Sequence, residues 1–276
     1  MRLLQHKTEA YWFYRVLSHV YDRWVNPLFW TPAMREAALA GAALDDRALR
    51  TLDVGAGTGF TTEGIVARVD AARVTMLDQS PHQLARARAK PSLERCAKVL
   101  GDAEALPFSD GHFDRYVSAG SIEYWPDPQR AVAEAHRVLR AGGRALIVGP
   151  VRPANLVMRG IADTWMLFPT EAEYRGWMAR AGFTDVELVP VAPAWYRSTR
   201  VPYAVAASGR KPTDGPAPAP APLPPPRETL RTPQGGAARL RTALRFAAGS
   251  LAGALFVPVA AVLVLRDRLA RRRRAA

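Results

Sequence analysis

Short apolar segments alternate with helical patterns through the middle of the chain. Apolar runs of about four to eight residues bounded by turn-forming residues are typical of buried strands. We therefore predict strands at residues 50–54, 73–78, 97–100, 115–119, 144–149, 186–189 and 201–207. Because strands that alternate with helices form parallel sheets covered on both faces, the pattern predicts an α/β, Rossmann-like fold with a doubly wound, mostly parallel, seven-stranded sheet.

Several short motifs mark the ends of the predicted helices. Ser80-Pro81-His82-Gln83 and Thr170-Glu171-Ala172-Glu173 both have the spacing of a capping box at a helix start. Glycines at 142, 143 and 182 lie where helices are expected to end, because glycine readily adopts the left-handed conformation that closes a helix.

The first part of the chain is unusually aromatic. Residues 11–30 hold eight aromatic side chains: Tyr11, Trp12, Phe13, Tyr14, Tyr21, Trp24, Phe29 and Trp30. A helical segment of this kind buries its rings against an apolar surface. We therefore expect residues 1–49 to form an N-terminal helical segment that faces a ligand or a membrane, followed by the α/β domain at residues 50–208.

The last part of the chain has the pattern of a tethered membrane anchor. Nine prolines within residues 209–236 predict an extended linker, which we place at residues 209–238. Residues 246–265 are 20 consecutive uncharged residues. At about 1.5 Å per residue such a helix spans the hydrocarbon layer of about 30 Å. We therefore predict a single-pass membrane anchor within residues 239–276.

The charge distribution agrees with contact between the tail and a lipid bilayer. The chain has 38 Lys and Arg against 25 Asp and Glu, and residues 227–276 alone carry 11 basic and two acidic side chains. Such a tail suits anionic lipid headgroups. No aromatic or glycine-rich recognition pattern accompanies it, so nucleic acid is not an expected partner. The one cysteine, Cys96, excludes a disulfide framework and a cysteine-built metal site, and no metal is expected.

A glycine-rich turn follows the first predicted strand. Asp53 precedes Gly55, Gly57 and Gly59, and alternate glycines let a ligand approach the backbone beside a helix N-terminus. Dinucleotide oxidoreductases use related turns, but their glycine spacing is Gly-x-Gly-x-x-Gly. A carboxylate two positions before the first glycine would repel a pyrophosphate and suits the ammonium group of an amino-acid-bearing cofactor. The turn therefore favours S-adenosylmethionine.

Two further carboxylates follow the next two strands. Asp78 ends the second strand, where it would accept hydrogen bonds from both ribose hydroxyls. After the third strand, Asp102 would accept a hydrogen bond from the adenine amino group and Ala103 would supply a backbone donor. Gln79 and Ser118, at the ends of the second and fourth strands, complete the candidate cofactor site. Three acids at successive strand ends favour a ligand site, because doubly wound sheets bind ligands there.

Distinctive motifs extend over most of the chain: residues 5–37, DVGAGTGFTTEGIV, LDQSPHQLARA, GDAEALPF, DRYVSAGSIEYWPDPQRA, RVLRAGG, GPV, ADTWMLFP and AGFTDVEL. With these motifs, residues 3–208 closely resemble the plastid 2-methyl-6-phytyl-1,4-hydroquinone methyltransferases, a family of S-adenosylmethionine-dependent methyltransferases. The resemblance implies a class I methyltransferase fold. It also implies ring C-methylation of 2-methyl-6-phytyl-1,4-benzoquinol, 2-methyl-6-solanesyl-1,4-benzoquinol or both, in tocopherol and plastoquinone biosynthesis.

The same resemblance implies a place in the cell. It suggests the plastid, with the inner envelope membrane as the site of the anchor. The chain departs from the family in its proline-rich linker and in its first ten residues, MRLLQHKTEA, which show no transit-peptide pattern. We therefore expect no transit peptide within this sequence.

Transfer of a methyl group to a ring carbon beside a phenolic hydroxyl needs a group that accepts the hydroxyl proton. Glu123 and Tyr124, just after the fourth predicted strand, are the first candidates, followed by His19 and then His82. Aromatic side chains at Trp125, Trp165, Phe168 and the N-terminal segment are candidates for the walls of the ring pocket: they would face the positive charge of the sulfonium.

Other interpretations remain open at this level. A ubiquinone- or menaquinone-type methyltransferase would use the same chemistry on another prenylated quinol. A membrane-tethered protein that binds S-adenosylmethionine without catalysis is a different class, although the set of Asp53, Asp78 and Asp102 argues against it. An oxidoreductase is the least favoured. The sequence leaves the oligomeric state open.

Overall fold

The computed structural model describes residues 29–198 and 200–213, and single positions at 236, 237, 240, 243, 244, 247, 248, 251, 262, 265 and 266. The predicted N-terminal helical segment before residue 29, most of the linker and most of residues 246–265 therefore lie outside the described residues. Among the residues that are described, no helix has the length and apolar character needed to cross a membrane.

Strands and helices alternate along the described chain. The strands are β1 (Thr51–Val54), β2 (Val74–Asp78), β3 (Ala97–Leu100), β4 (Phe113–Ala119), β5 (Leu139–Pro150), β6 (Thr184–Val191) and β7 (Ala204–Arg210). The helices are α1 (Pro32–Leu39), α2 (Phe60–Val66), α3 (Pro81–Arg88), α4 (Pro128–Val138), α5 (Leu156–Trp165) and α6 (Glu171–Arg180). Short 3₁₀ turns at Ala40–Ala42, Ala71–Arg73, Pro91–Leu93 and Ile122–Tyr124 connect them.

All seven strands form one sheet in the order β3-β2-β1-β4-β5-β7-β6. The pairs β1 with β2, β1 with β4, β2 with β3 and β4 with β5 are parallel. Strand β7 is antiparallel to both of its neighbours, β5 and β6. The predicted doubly wound, mostly parallel, seven-stranded sheet is confirmed, although β5 begins five residues earlier than predicted and β7 begins three residues later.

Alternating side chains of the central strands pack into two separate cores. Tyr116 of β4 lies in the core that α4 and α6 cover, whereas its neighbour Val117 lies in the core on the other face, with residues of α1, α2 and α3. Ile147 and Val148 of β5 divide in the same way. Because successive side chains of a strand point to opposite faces, near-continuous apolar strands of this kind indicate a sheet buried on both sides.

The two predicted capping boxes form to different extents. Thr170 and Glu173 make both reciprocal bonds at the start of α6. At the start of α3, Ser80 Oγ accepts a bond from the Gln83 backbone N at 3.4 Å, but the Gln83 side chain does not bond back. The reason is that the Ser80 backbone N–H already donates to Asp78 Oδ1 at 2.8 Å. The second half of the box is thus replaced by a bond to a candidate site residue.

The expectation that Gly142 and Gly143 end a helix is wrong. Helix α4 ends at Val138, and the chain enters β5 at once. The terminal carbonyls of α4 do not need a glycine cap, because Lys211 Nζ donates to the carbonyls of His136 and Leu139 at 2.8 and 2.7 Å. Gly182, in contrast, follows α6 with φ +94°, as predicted.

Candidate functional site

The candidate site lies at the edge of the sheet where the parallel strands end. The glycine-rich turn runs from the end of β1 to the start of α2 and is tied to β2, because the backbone N–H groups of Gly55 and Ala56 donate to the Leu77 carbonyl at 2.8 and 3.1 Å. These bonds fix the turn beside the end of β2. The N-terminus of α2 therefore points toward the space above the strand ends, where an anionic or polar ligand group is favoured.

All three glycines of the turn have positive φ angles, as the motif predicts, with +69° at Gly55, +57° at Gly57 and +87° at Gly59. Their surroundings differ. A side chain at Gly55 would overlap Ser121, and one at Gly59 would overlap Leu93. A Cβ at Gly57 would meet nothing closer than the Gly55 carbonyl at 4.0 Å. Gly55 and Gly59 thus allow close packing within the protein, whereas Gly57 leaves its backbone open to a ligand.

Asp53, at the end of β1, is a buried carboxyl group. It is 1% exposed, and Oδ2 accepts a bond from Thr62 Oγ1 of α2 at 2.6 Å. Burial raises the pKa of Asp53 to about 7, and the nearby Asp78 carboxyl group adds to the rise. An incoming cation such as an ammonium group would favour the ionised form of this carboxyl group. The structure therefore places Asp53 where the sequence predicted it, with Thr62 as an unpredicted partner.

Asp78, at the end of β2, holds the glycine turn and the start of α3 together. Oδ2 accepts a bond from the Gly57 backbone N and Oδ1 accepts one from the Ser80 backbone N, both at 2.8 Å. Burial raises the pKa of Asp78 to about 6, although these two bonds oppose the rise. A carboxylate offers about four acceptor sites, so two remain for ligand hydroxyls. Gln79, the next residue, is partly exposed at the same edge.

Asp102 and Ala103 lie in the turn that follows β3. Asp102 Oδ1 accepts a bond from the Glu104 backbone N at 2.9 Å, and the Ala103 side chain is buried. Two acids that the sequence pattern did not identify as candidates hold this turn in place. Glu104 is fully buried and its Oε1 accepts a bond from the Asp127 backbone N at 2.8 Å. Glu134 of α4 accepts a bond from the Leu106 backbone N at 2.7 Å.

Glu104 and Glu134 hold the turn after β3 against α4: Glu104 bonds to Asp127 at the start of the helix, and Glu134 lies on its buried face. The signal available in the sequence was the acidic residue at 134, which falls on the face of α4 that is otherwise apolar. Arg137, three residues later on the same helix, donates to Oε1 and Oε2 of Glu134, both at 2.7 Å, and this i, i+3 pair can be read from the sequence. The other donor, the Leu106 backbone N–H, cannot, because it lies on a separate turn.

The end of β4 contributes a second turn that touches the glycine-rich one. Ser118 is fully buried, and its Oγ lies 2.6 Å from Ser121 Oγ. The Ser121 side chain in turn packs against Gly55, and its Oγ lies 3.5 Å from the Val54 carbonyl oxygen. The turn that carries Glu123 is therefore in direct contact with the glycine-rich turn.

Glu123 follows Ser121 in the 3₁₀ turn Ile122–Tyr124 and is 8% exposed. Burial raises the pKa of Glu123 to about 7. Among the residues that the structure describes, no group donates a hydrogen bond to Oε2 of this side chain. The backbone is held in place because the Glu123 carbonyl accepts a bond from the Leu167 N at 3.0 Å. A fixed, buried carboxyl group with an unused acceptor oxygen is suited to receive a proton or a hydrogen bond from a ligand.

Tyr124 and the aromatic candidates occupy different surroundings. Tyr124 packs against a small cluster of Ala162, Met166 and Phe168 at the end of α5. Trp125 lies in the core under α4 and α6. His82 is exposed on the first turn of α3. His19, the N-terminal aromatic residues before position 29 and the Trp165 side chain lie outside the described residues, so their predicted roles stay predictions.

Within residues 29–198 and 200–213, no group of three or more His, Cys, Asp or Glu side chains could hold a metal ion.

The geometry of the turn fits S-adenosylmethionine. The open backbone at Gly57, the remaining acceptor sites of Asp78 and the Asp53 carboxyl group lie at one edge of a doubly wound sheet. Solved structures share this fold. A putative methyltransferase in complex with the Trm112 activator from Haloferax volcanii superposes with a TM-score of 0.58 at 23% identity over 75% of this chain and 98% of that one. A phosphoethanolamine N-methyltransferase 2 from Haemonchus contortus, solved with S-adenosylhomocysteine, gives a TM-score of 0.59 at 15% identity over 72% of this chain and 60% of that one.

Sequence relatives are much closer than these structures. A family model described as "Methyltransferase domain" matches residues 52–147. The chloroplastic 2-methyl-6-phytyl-1,4-hydroquinone methyltransferase of Spinacia oleracea is 48% identical over 97% of this chain and 77% of its own length. The corresponding methyltransferase 2 of Oryza sativa subsp. japonica is 59% identical over 72% of this chain and 57% of its own length. With its fold and its glycine-rich turn, the chain therefore belongs to the family of the 2-methyl-6-phytyl-1,4-hydroquinone methyltransferases, which are S-adenosylmethionine-dependent enzymes.

Proposed function

We propose that this protein methylates a ring carbon of a prenylated benzoquinol, 2-methyl-6-phytyl-1,4-benzoquinol or its solanesyl counterpart, in tocopherol and plastoquinone biosynthesis. The names of relatives at 48–59% identity support this substrate class. Ubiquinone- and menaquinone-type relatives are matched over only 35–41% of this chain, which makes those quinols the weaker alternative. When bound, S-adenosylmethionine supplies an electrophilic methyl group.

The observation that carries the mechanism is the buried Glu123 carboxyl group with its unused Oε2. The reacting ring carbon becomes nucleophilic as the neighbouring phenolic hydroxyl loses its proton. A phenol has a pKa of about 10 and an ordinary glutamate about 4.5, so the proton transfer is uphill. Burial raises the pKa of Glu123 to about 7, which narrows this gap by about 3 kcal/mol. We therefore assign proton acceptance to Glu123 and orientation of the quinol ring to Tyr124.

The other candidate residues bind and orient the cofactor in this proposal. Asp78 accepts hydrogen bonds from the ribose hydroxyls through its remaining acceptor sites, and Asp53 supplies negative charge beneath the ammonium group. Asp102 and Ala103 contact the adenine ring, and the open backbone of Gly57 lets the cofactor approach. Holding both reactants in one geometry is itself a large part of catalysis.

The proposal also includes a location. The relatives in Spinacia oleracea and Arabidopsis thaliana are named as chloroplastic, and we infer a plastid membrane, with residues 246–265 as a single-pass anchor. The substrate supports this inference. A tail of about 20 carbons at about 0.8 kcal/mol per buried methylene is held in the bilayer by about 16 kcal/mol. Such a substrate does not diffuse to an enzyme in water, so the enzyme must work at the membrane.

One assay tests the substrate class. The full chain is incubated with methyl-labelled S-adenosylmethionine and a panel of quinols: phytyl and solanesyl benzoquinols, a ubiquinone precursor and a menaquinone precursor. We expect label in the phytyl or solanesyl product, with the position of the new ring methyl group read by mass spectrometry and NMR. Preferential labelling of the ubiquinone or menaquinone precursor would replace the proposed substrate. Cofactor binding by calorimetry without methylation of any quinol would point to a non-catalytic binding protein.

A second experiment tests the anchor. The full chain is incorporated into vesicles and washed with alkaline carbonate, which removes peripheral proteins but leaves spanning helices in the membrane. We expect the full chain to stay in the membrane fraction and a chain that ends at Thr213 to be released. Release of the full chain would show that residues 246–265 do not span the bilayer.

A further inference from the structure

Two segments leave the sheet beside the candidate site and form a rim, which we define as residues 152–165, 192–198 and 200–203. The first segment leads from β5 into α5, and the second connects β6 to β7. They start side by side, because Val151 N donates to the Tyr203 carbonyl at 3.1 Å and Ala204 pairs with both Pro150 and Val191. Since β5 is parallel to β4 and β1, the rim stands at the same edge of the sheet as Glu123 and the glycine-rich turn.

The tip of α5 exposes two adjacent apolar side chains on the rim. Leu156 is 77% exposed and Val157 is 71% exposed. Their position is fixed: Asn155 Oδ1 accepts bonds from the backbone N–H groups of Val157 and Met158 at 2.9 and 3.1 Å. Farther along α5, Ala162 is fully buried. The helix is thus packed at one end and presents bare apolar surface at the other, which is the pattern of an interaction site.

The charge of the rim identifies the kind of partner. The rim contains four arginines, at 152, 159, 197 and 200, and one acid, Asp163, which pairs with Arg152. Arg159 donates to the carbonyls of Pro153 and Ala154 at 3.3 and 3.4 Å, which holds its guanidinium group close to the tip of α5. Arg197 and Arg200 are exposed. Apolar side chains next to an excess of positive charge match the interface of an anionic lipid bilayer.

Aromatic side chains complete the rim. Trp195, Tyr196 and Tyr203 form a mutual cluster of edge-to-face contacts, with ring centroids 5.3–6.2 Å apart. All three are only partly buried. Tyr and Trp prefer the level of the lipid headgroups, because their rings are apolar and their tips can form hydrogen bonds.

We propose that the rim docks on the surface of a bilayer that contains anionic lipids, with Leu156 and Val157 inserted and Arg159, Arg197 and Arg200 at the headgroups. The inference rests on the proposed function only in that a membrane-borne quinol gives docking its purpose. It goes beyond the C-terminal anchor, because an anchor joined by a linker keeps the domain near the membrane without orienting it. Docking through the rim turns the edge that carries Glu123 toward the bilayer, so the quinol head can enter while its tail stays in lipid.

Site-directed labelling tests the docking directly in the full chain. The single native cysteine, Cys96, is 5% exposed, so a cysteine introduced at Val157 is the reactive thiol. Val157→Cys is labelled with an environment-sensitive fluorophore and incorporated into phosphatidylcholine vesicles with or without about 30% phosphatidylglycerol. Ala72→Cys is the control, because Ala72 is exposed in the turn before β2, at the opposite edge of the sheet.

We expect the fluorophore at position 157 to be quenched by lipids with a nitroxide near the headgroup, more strongly in the anionic vesicles, and to resist quenching by aqueous iodide. The label at position 72 should be quenched by aqueous iodide and not by the nitroxide lipids. Accessibility of position 157 to iodide in both vesicle types would overturn the proposal. Protection from iodide without quenching by nitroxide lipids would also overturn it: another part of this chain or a second copy would then cover the tip.

Rate measurements separate this proposal from the proposed function. Leu156→Gln with Val157→Gln should lower methylation of a phytyl quinol in vesicles by about fivefold or more, but leave methylation of a short-tailed quinol in water unchanged. Val189→Gln, a change at another partly exposed apolar residue, is the matched control and should change neither rate. Equal rates for the unaltered chain and the double variant in vesicles would overturn docking. If the unaltered chain methylates neither quinol, the proposed function fails, while the labelling result still decides docking.

Discussion

Replacing Glu123 with glutamine removes a buried ionisable group while almost preserving its volume. Burial raises the pKa of Glu123 from 4.5 to about 7. The folded state therefore binds this proton more tightly than the unfolded state does, and the folded protein loses stability as the pH rises from about 4.5 to about 7. At about 1.4 kcal/mol per pH unit, the loss reaches about 3 kcal/mol above pH 7.

The glutamine variant should not show this loss. Its free energy of unfolding, taken relative to that of the unaltered protein, should be about 2.5 kcal/mol higher at pH 8 than at pH 5. Any constant cost of burying the new amide group cancels in this difference between the two pH values. The measurement is urea unfolding of the full chain in a non-ionic detergent without cofactor, followed by tryptophan fluorescence.

The same substitution should lower turnover by about 10²-fold or more while leaving cofactor affinity intact, because in the proposed mechanism Glu123 accepts the proton of the substrate. Turnover of the unaltered enzyme should rise as the pH passes about 7, where Glu123 becomes ionised, and the residual turnover of the variant should lack this rise.

Asp114→Asn is the matched control. Asp114 is also 8% exposed, but it lies in the opposite half of β4 and is paired with Arg140 and the Arg50 backbone. This variant should be less stable than the unaltered protein and should keep its turnover at saturating cofactor. If Glu123→Gln has the same effect on stability at both pH values, the raised pKa is refuted. Turnover within a few-fold of normal would place the proton acceptor elsewhere.

Three further substitutions and one truncation have distinct expected results. Asp78→Ala should weaken S-adenosylmethionine binding by about 1–3 kcal/mol in a folded protein, because ligand hydroxyls lose their acceptors; unchanged affinity by calorimetry would contradict the assigned ribose contact. Gly57→Ala and Gly59→Ala should both lower the melting temperature, because both glycines have positive φ angles, but the loss should be larger for Gly59→Ala, whose methyl group overlaps Leu93, whereas Gly57→Ala should lower cofactor affinity more, since its methyl group enters the open side of the turn; equal effects of the two on both quantities would contradict their different roles. Removal of residues after Thr213 should leave a folded enzyme that methylates a short-tailed quinol normally but a phytyl quinol in vesicles slowly; equal loss on both substrates would show that the removed part belongs to the fold.

The candidate cofactor residues could be located from the sequence because their signals are local. Positive φ angles at Gly55, Gly57 and Gly59 follow from the spacing of the glycines, and the acids at strand ends follow from the strand pattern. Their partners could not be located. Thr62 bonds to Asp53 across the first turn of α2, and Glu104 and Glu134 join the turn after β3 to α4. Such contacts depend on how separate elements pack, which a local pattern does not encode.

Glu123 illustrates the same division. Its position after β4 made it a candidate, but an acid in a loop is normally solvated, and no local pattern predicts a raised pKa for it. The raised pKa arises from tertiary burial: the 3₁₀ turn is pinned to Leu167 after α5 and lies against the glycine-rich turn.

For the fold, the sequence by itself determined the number, type and approximate position of the seven strands, because the spacing of apolar residues and the turn residues act within a few positions of the chain. Only the tertiary structure decided the antiparallel placement of β7 between β5 and β6, and the use of Lys211 to cap α4 where glycines were expected to do so. The strand order is decided by which arrangement of all the strands and helices buries both faces of the sheet. A side-chain cap such as Lys211 forms only when that arrangement brings distant residues to a helix end whose carbonyls need donors. No single segment of the chain contains this information.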